Sequence, residues 1–227
     1  MLKIAQMLTK TDESTSLSKR ICSMGREITG ADGVSLSISL NHALTSETGS
    51  DSEFAFLDEQ QFTFGEGPTF DASTSTNPVM ANNFMSNKDK KTWPIFSSLA
   101  NKRGIHSMTA FPLRIGNSSL GVLSAYRKKE EVISSDEYID GIALSSFASN
   151  LLIQQYAGDT EPNIEKILGQ SSQDQSLIHL ASGMLAEKLN ISIIEALVRI
   201  RAHAYKTDLP ILEVASQIVE RKLNLER

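Results

Sequence analysis

Hydrophobic residues near the start of the chain recur at helical spacing and then change to strict alternation. The helical positions are Leu17, Ile21, Met24 and Ile28. They predict an amphipathic helix that ends near Gly30. The alternating positions are Val34, Leu36, Ile38 and Leu40, separated by Ser35, Ser37 and Ser39. This period of two predicts a half-buried β-strand, with one apolar face and one face in water.

A β-hairpin is predicted in the middle of the chain. Two strand-like runs, residues 105–114 and 120–126, flank the turn sequence Ile115-Gly-Asn-Ser-Ser. The basic run that follows, Arg127-Lys-Lys, meets two glutamates at once, so we expect a solvated turn there.

A long helix is predicted after the hairpin. Ser134 and Glu137 form a capping box, and an apolar stripe continues from there to Gln155. Shorter helices are predicted over residues 1–8 and 54–61 and after Trp93. Because strands and helices are interleaved over about 155 residues, this part of the chain is expected to be an α+β domain with an antiparallel sheet.

The last fifth of the chain carries three short amphipathic stripes. The middle one begins with a second capping box, Ser192 and Glu195, and Asp208 is expected to cap the third, with Pro210 in its first turn. Their apolar positions are Leu177, Ala181, Met184, Leu185 and Leu189, then Ala196, Leu197, Ile200 and Ala204, then Ile211, Val214, Ala215, Ile218 and Leu223. Helices this short are not stable alone, so they pack on one another, on a second copy, or on both.

Composition is that of an ordinary globular protein. The chain has 227 residues, 40% of them hydrophobic and 22% charged, and a net charge of -5. Residues 165–227 hold eight Lys and Arg against eight Asp and Glu, so charge alone does not indicate a nucleic-acid partner. The single cysteine, Cys22, excludes an internal disulfide and favours a reducing compartment. Since no apolar run is long enough for a membrane span, a cytoplasmic protein is expected.

Fixed spacings connect the residues of the tail. They are Ile178, Ala181, Gly183, Met184 and Leu185, then Ser192, Glu195 and Ala196, then Arg201 and Ala204, and last Leu212, Val214, Ala215, Ile218 and Val219. This pattern resembles the ANTAR domain. The resemblance implies a three-helix RNA-binding module that, as a dimer, recognises paired hairpin loops in nascent messenger RNA and prevents formation of a transcription terminator.

The resemblance also suggests where RNA would be bound. The candidate RNA-binding residues are Ser182, Gly183, Lys188, Arg199, Arg201, His203 and Lys206. Gly183 is equally suited to the close crossing of two helices, and the cationic residues could instead form a solvated helix face. Family members usually carry Arg, Gln and Lys where this chain has Gln175, Leu180 and Ser182, so a tail that docks to a protein partner is the alternative.

A second series of motifs lies within residues 17–155. In order they are Gly30-Ala-Asp-Gly-Val, Leu57-Asp-Glu-Gln-Gln, Gly65-Glu-Gly-Pro, Trp93-Pro-Ile-Phe, Gly104-Ile-His-Ser, Phe111-Pro-Leu-Arg and Leu120-Gly-Val-Leu-Ser-Ala-Tyr. This order resembles the GAF domains that precede ANTAR domains. The resemblance implies a sensory sheet flanked by helices, with a pocket for a small molecule that it does not identify. Thr69 stands where such domains often have Cys, and Asn83 where Asp is common, so cysteine-based redox or tetrapyrrole chemistry is not expected.

Catalytic and metal-binding patterns are not found in the sequence. It contains no nucleophile elbow, no Gly-rich phosphate loop and no paired-carboxylate motif. The histidines, which lack metal-ligand spacing, are His42, His106, His179 and His203. We therefore expect no enzyme activity and no metal or cofactor. The loop at residues 65–68 is predicted to be structural, with ligand contact as the alternative.

The sequence thus predicts three parts. Residues 1–156 are a GAF-like sensor domain with an N-terminal helix, residues 157–169 a linker or connecting helix, and residues 170–227 an all-α, three-helix ANTAR-like domain. The functional hypothesis is a signal-responsive antitermination regulator that binds tandem hairpin loops in an mRNA leader as a homodimer. The alternative is a dimeric ligand sensor whose divergent tail docks to a protein partner.

Overall fold

The computed structural model describes residues 15–40, 43–46, 52–158, 177–178 and 180–225. The chain divides into two compact units, one formed by Met1–Phe62 and Glu66–Thr160 and the other by Thr63–Gly65 and Glu161–Arg227. The helix predicted over residues 1–8 and the linker from residue 159 to 169 lie outside the described residues. The domain bounds given above therefore stay predictions.

An antiparallel sheet forms the centre of the first unit. Its strands are β1 (Gly33–Leu40), β2 (Ala43–Ser46), β3 (Val79–Ala81), β4 (Ser107–Ile115) and β5 (Ser118–Arg127). Within the described residues their order across the sheet is β2-β1-β5-β4-β3. Helices flank the sheet, which confirms the α+β class predicted for this part of the chain.

The described part of the first unit contains six helices, and some of them begin or end at recognisable caps. They are α1 (Leu17–Thr29), α2 (Ser52–Phe64), α3 (Pro68–Thr74), α4 (Asn87–Thr92), α5 (Pro94–Lys102) and α6 (Ser135–Gly158). The hydroxyl of Ser16 accepts a hydrogen bond from the Lys19 amide at the start of α1, and Gly30 ends this helix with a φ of 61°. The capping box predicted for α6 is confirmed, because Ser134 N donates to Glu137 Oε2 at 2.8 Å and Glu137 N donates to Ser134 Oγ at 3.2 Å.

One face of the sheet packs against α1 and α6 and forms the apolar core. Its buried side chains include Ile21, Met24, Val34, Leu36, Ile38, Phe111, Leu113, Leu123, Leu144 and Leu152. Each such side chain stabilises the fold by about 1.5–3 kcal/mol relative to exposure. The packing of α6 is close, since a Cβ on Gly141 would lie 2.4 Å from the Phe111 ring.

The prediction of a half-buried strand is wrong for β1. Ser35 and Ser37 are 0% and 1% exposed, so the serine face of β1 is as deeply buried as its apolar face. The serines form hydrogen bonds to Asp58 of α2, which takes the place of water. The alternation along β1 therefore reflects a buried apolar face and a buried polar face, and neither face is in water.

The predicted hairpin is confirmed with slightly different ends. β4 and β5 pair from Ser107 opposite Arg127 to Ile115 opposite Ser118, with a register shift at Leu113 and Arg114. The turn between them uses Gly116 at a φ of 55°, a conformation that favours glycine.

The expectation of a solvated turn is wrong for Arg127. This residue is the last of β5 and is 7% exposed. Its guanidinium donates to the carbonyl of Thr29 and pairs with Glu137 at 3.2 Å. Burial raises the pKa of the Glu137 carboxyl, but the hydrogen bonds from Ser134 and the charge of Arg127 outweigh it, and the net result is a lowered pKa.

The second unit contains short helices in series. Within the described residues they are α7 (residues 180–189), α8 (Ile193–Thr207) and α9 (Ile211–Val219). The cap predicted for α8 is confirmed, because Glu195 N donates to Ser192 Oγ at 3.1 Å. The cap predicted for the third helix is wrong: Asp208, with a φ of 55°, ends α8, and Pro210 directly precedes α9.

The described residues of this unit thus contain three helices where three were predicted, and their identity as an ANTAR domain stays a prediction. In the part of the chain that the structure describes, no helix is both long and apolar enough to cross a membrane.

Candidate functional site

A cluster of polar side chains is buried on the sheet face opposite α1 and α6. Four of them come from the strands and alternate with the apolar core residues. They are Ser35 and Ser37 of β1 and Ser124 and Tyr126 of β5, all at most 1% exposed. β1 and β5 are neighbours, with Ser35 paired to Ser124. The strand register therefore brings these hydroxyls together.

Asp58 of α2 provides the centre of this cluster. Its Oδ2 accepts hydrogen bonds from the hydroxyl of Ser35 and, at 3.0 Å, from that of Ser37. Its Oδ1 accepts from the hydroxyl of Tyr126, from Thr69 Oγ1 at 3.0 Å and from Gln61 Nε2 at 3.4 Å. Donors from both strands and from α2 and α3 thus meet on one buried carboxyl group.

Gln61 and Thr69 connect this carboxyl group to the start of α3. Thr69 N donates to Gln61 Oε1 at 2.7 Å, and Gln61 Nε2 lies 2.9 Å from Thr69 Oγ1 and 3.0 Å from the Tyr126 hydroxyl. The Thr69 hydroxyl is also 2.8 Å from that of Ser124. Gly67 allows this approach, because a Cβ there would lie 2.3 Å from Gln61 Oε1 and its φ is 129°.

Burial controls the acid–base chemistry of the cluster. It raises the pKa of Asp58, an effect that the hydrogen bonds from Ser35, Tyr126, Ser37 and Thr69 oppose only in part. The pKa of Tyr126 is raised well above its ordinary value, first by burial and then by the nearby Asp58. The cluster therefore favours the protonated form of its carboxyl group more strongly than water does.

The loop at residues 65–68 also holds the next helix in place. Glu66 Oε1 accepts hydrogen bonds from the backbone amides of Ile95 and Phe96 at 2.7 and 2.8 Å. It thereby caps α5, whose N-cap residue Trp93 makes no side-chain cap hydrogen bond. The indole of Trp93 in turn donates to Asp71 Oδ2 at 2.8 Å. These contacts support the structural role predicted for this loop.

The predicted RNA-binding residues of α8 lie on two sides of the helix. At about 100° per residue, Arg199, His203 and Lys206 fall within an arc of roughly 60°. Arg201 lies on the other side of the buried stripe, which consists of Ala196, Ile200 and Ala204. Arg199 pairs with Glu195 at 2.8 Å. The structure therefore brings three of the four predicted cationic residues of α8 together.

The predicted residues of α7 have different environments. Ser182 is buried, and its hydroxyl donates to the carbonyl of Ile178 at 2.7 Å. Among the described residues, a Cβ on Gly183 would meet nothing within 4 Å, so their packing does not require a glycine there. Lys188 is exposed and donates to the side chain of Asn224.

The sequence-based site contained no member of the buried cluster. The alternation along β1 predicts a solvent face for its serines, and the positions of Asp58 and Thr69 relative to the strands depend on the tertiary fold. One local signal existed: Asp58 and Gln61 are three residues apart and so share a helix face. Among the residues that the structure describes, no group of three His, Cys, Asp or Glu could hold a metal ion.

Comparison with known proteins shows which family and fold the first unit resembles. A family model described as the GAF domain matches residues 11–148. The GAF domain of a phosphoenolpyruvate-protein phosphotransferase from Coxiella burnetii is 16% identical, with a TM-score of 0.52 over 70% of this chain and 96% of that one. The chromophore-binding domain of a Stigmatella aurantiaca bacteriophytochrome is 10% identical, with a TM-score of 0.51 over 67% of this chain and 58% of that one. Comparison with curated proteins gives no match.

Proposed function

The chain belongs to the GAF domain family, whose members typically sense signals, and we propose that it does so as well. We propose further that it is a signal-responsive regulator of transcription antitermination. In this proposal the first unit receives a small-molecule signal. The C-terminal helices, as an ANTAR-like domain, bind paired hairpin loops in an mRNA leader. The proposal includes a cytoplasmic location and the absence of enzyme activity.

The observation that carries the proposal is the basic face of α8. Arg199, His203 and Lys206 lie side by side next to the buried stripe of this helix, so a phosphate backbone could contact all three. Two of these positions carry a permanent positive charge, although Arg199 shares its charge with Glu195. Such a face suits the backbone-positioning contacts of an RNA-binding helix.

Two-site RNA recognition requires two tails, and α6 offers a surface for a homodimer. Ile139, Ile142 and Ile153 are exposed by 61%, 38% and 36%. Their spacings of three and eleven residues place them along one side of the helix. A second copy would remove this apolar stripe from water, and the paired tails would then bind neighbouring hairpins at high effective concentration.

The test is a titration of the full chain with a tandem-hairpin RNA at two salt concentrations. We expect binding that requires the native loops, weakens with salt and is lost in the triple variant Arg199→Gln, His203→Gln, Lys206→Gln. Each lost phosphate contact should also reduce the slope of log affinity against log salt by about 1. The charge-matched control removes two exposed lysines of the first unit, Lys90 and Lys91. It should bind like the wild type.

One observation favours a second function, docking to a protein. Leu180, Ile193 and Val198 of the C-terminal helices are 52%, 59% and 54% exposed. Equal affinity for native and scrambled loops at both salt concentrations would contradict RNA recognition. These apolar side chains would then be the first place to look for a protein partner.

A further inference from the structure

A small pocket lies between the end of β4, the turn before β3, and α6. Its volume is about 190 Å³. Its polar lining consists of Thr76, Asn77, Arg114, Ser145 and Ser146. Ile142 and two prolines supply apolar walls. Its lining shares no residue with the Asp58 cluster.

Among the described residues, Arg114 is the only charged one that lines this pocket. Its guanidinium donates to two backbone carbonyls, those of Ser75 at 3.2 Å and Asn117 at 2.6 Å. Its Nε is buried without a hydrogen-bond partner, and no carboxylate among the described residues pairs with it. A guanidinium has five N–H donors, so part of this donor capacity is unused in the described structure.

Neighbouring side chains add hydrogen-bonding capacity. Within the described part of the chain, the hydroxyl of Thr76 and the side-chain amide of Asn77 make no hydrogen bond. The hydroxyls of Ser145 and Ser146 donate to the carbonyl of Ile142 at 2.8 and 3.1 Å. A hydroxyl can rotate toward a stronger acceptor, so these groups could turn to a bound anion.

We propose that this pocket binds a small oxyanion, either a carboxylate or a phosphate group, through Arg114. The guanidinium provides the charge and the planar fork that such groups match, and Thr76 and Asn77 provide neutral donors beside it. The occupant contacts both the end of β4 and α6. It therefore joins the sheet to the helix that carries the exposed isoleucine stripe. The site goes beyond the proposed function, and its binding chemistry does not depend on RNA.

The experiment is a titration of the full-length protein with phosphate and, separately, with acetate, followed by amide and arginine Nε resonances in NMR spectra. Sodium chloride keeps the ionic strength constant and serves as the control anion. We expect saturable shifts at Asn77, at Arg114 Nε and at Ser145 and Ser146. Tighter binding of phosphate would indicate a phosphate group as the natural occupant, and tighter binding of acetate a carboxylate.

Substitutions then assign the binding to Arg114. Arg114→Gln should lower the affinity for the anion by about tenfold or more, because a charge-assisted hydrogen bond is lost. The affinity of Arg114→Lys should lie between those of the wild type and Arg114→Gln. Arg103→Gln, at an exposed arginine elsewhere in the same unit, should bind like the wild type. Absence of saturable shifts in the wild type, or unchanged affinity in Arg114→Gln, would overturn the proposal. If Arg114→Gln does not fold, the proposal is tested by the wild type alone: a saturable shift of the Arg114 Nε resonance supports it, and absence of that shift overturns it. Since no RNA is used, the result is independent of antitermination.

Discussion

The two faces of the sheet are built from the same strands but are held by different interactions. On one face Leu36, Phe111 and Leu123 pack against α1 and α6. On the other face Asp58 accepts hydrogen bonds from Ser35, Tyr126 and neighbouring polar side chains. Both faces are almost fully buried.

This difference shows where the unit is sensitive to small chemical changes. Apolar packing is non-directional and tolerates exchange between side chains of similar volume. A buried hydrogen-bond network is directional, and one missing partner leaves several groups unsatisfied. The stability of the polar face therefore depends on the presence and protonation of a single group, Asp58.

The largest effect should come from removing that group. Asp58→Ala leaves buried hydroxyls without their acceptor, and each unsatisfied group costs about 1–3 kcal/mol. We expect the free energy of unfolding in urea to fall by about 3 kcal/mol or more, comparable with Leu36→Ala on the apolar face. A loss below about 1 kcal/mol would show that the network does not hold this face.

Close packing on the two faces can be compared through two glycines. A Cβ on Gly33 would lie 1.8 Å from the Phe54 ring, and one on Gly141 would lie 2.4 Å from the Phe111 ring. Gly33→Ala and Gly141→Ala should each lower the midpoint of urea unfolding, at a cost of about 1–3 kcal/mol. Gly183→Ala is the control and should not lower the stability, because a Cβ there would meet no atom of the described residues within 4 Å. Wild-type stability in Gly33→Ala would mean that α2 is not packed on the sheet as described.

Removal of one tyrosine hydroxyl from each face compares how much a single hydroxyl contributes to stability on the two faces. Tyr126→Phe keeps the ring that stacks on Phe54 but removes the donor to Asp58, so a loss of about 1–3 kcal/mol is expected. Tyr138→Phe is the matched control on the apolar face, where the ring packs on Phe111 and its hydroxyl makes no hydrogen bond within the described residues. Equal effects of the two substitutions on thermal unfolding would contradict the proposed difference.

The smallest expected effect is a dependence on pH. Burial raises the pKa of Asp58 in the folded chain, so the folded protein holds a proton that the unfolded chain has already released. This contribution to stability is complete below the ordinary aspartate pKa of about 3.9 and is lost as the pH rises through the folded-state value. The stability difference between wild type and Asp58→Asn should therefore decrease with rising pH, by at most about 1.4 kcal/mol per unit. Urea unfolding across the acidic range measures it, and a constant difference would refute the shift.

Local patterns were enough to predict much of the first unit. The helix stripe that includes Ile21, the hairpin and the capping box at Ser134 were all identified, because each depends on residues close in sequence. In the second unit the cap at Ser192 was predicted for the same reason. The role of Asp208 was not, since whether it ends one helix or begins the next depends on its φ of 55°.

The polar face could not be predicted because its partners are distant in sequence. Ser35 and Asp58 are separated by 23 residues, and Tyr126 and Asp58 by 68. A serine that alternates with valine or leucine has the same pattern whether it faces water or a buried carboxyl group. The solvated turn predicted at Arg127 is wrong for the same reason, because its contacts with Thr29 and Glu137 form only in the folded protein.

The dependence of the polar face on Asp58 can be tested most directly by following its carboxyl carbon in an NMR pH titration of the folded protein. Because burial outweighs the hydrogen bonds, the resonance should titrate above the ordinary aspartate range, and Ser35→Ala should move the midpoint higher still by removing an opposing hydrogen bond. A midpoint at or below the ordinary value would contradict a buried carboxyl group at the centre of this face.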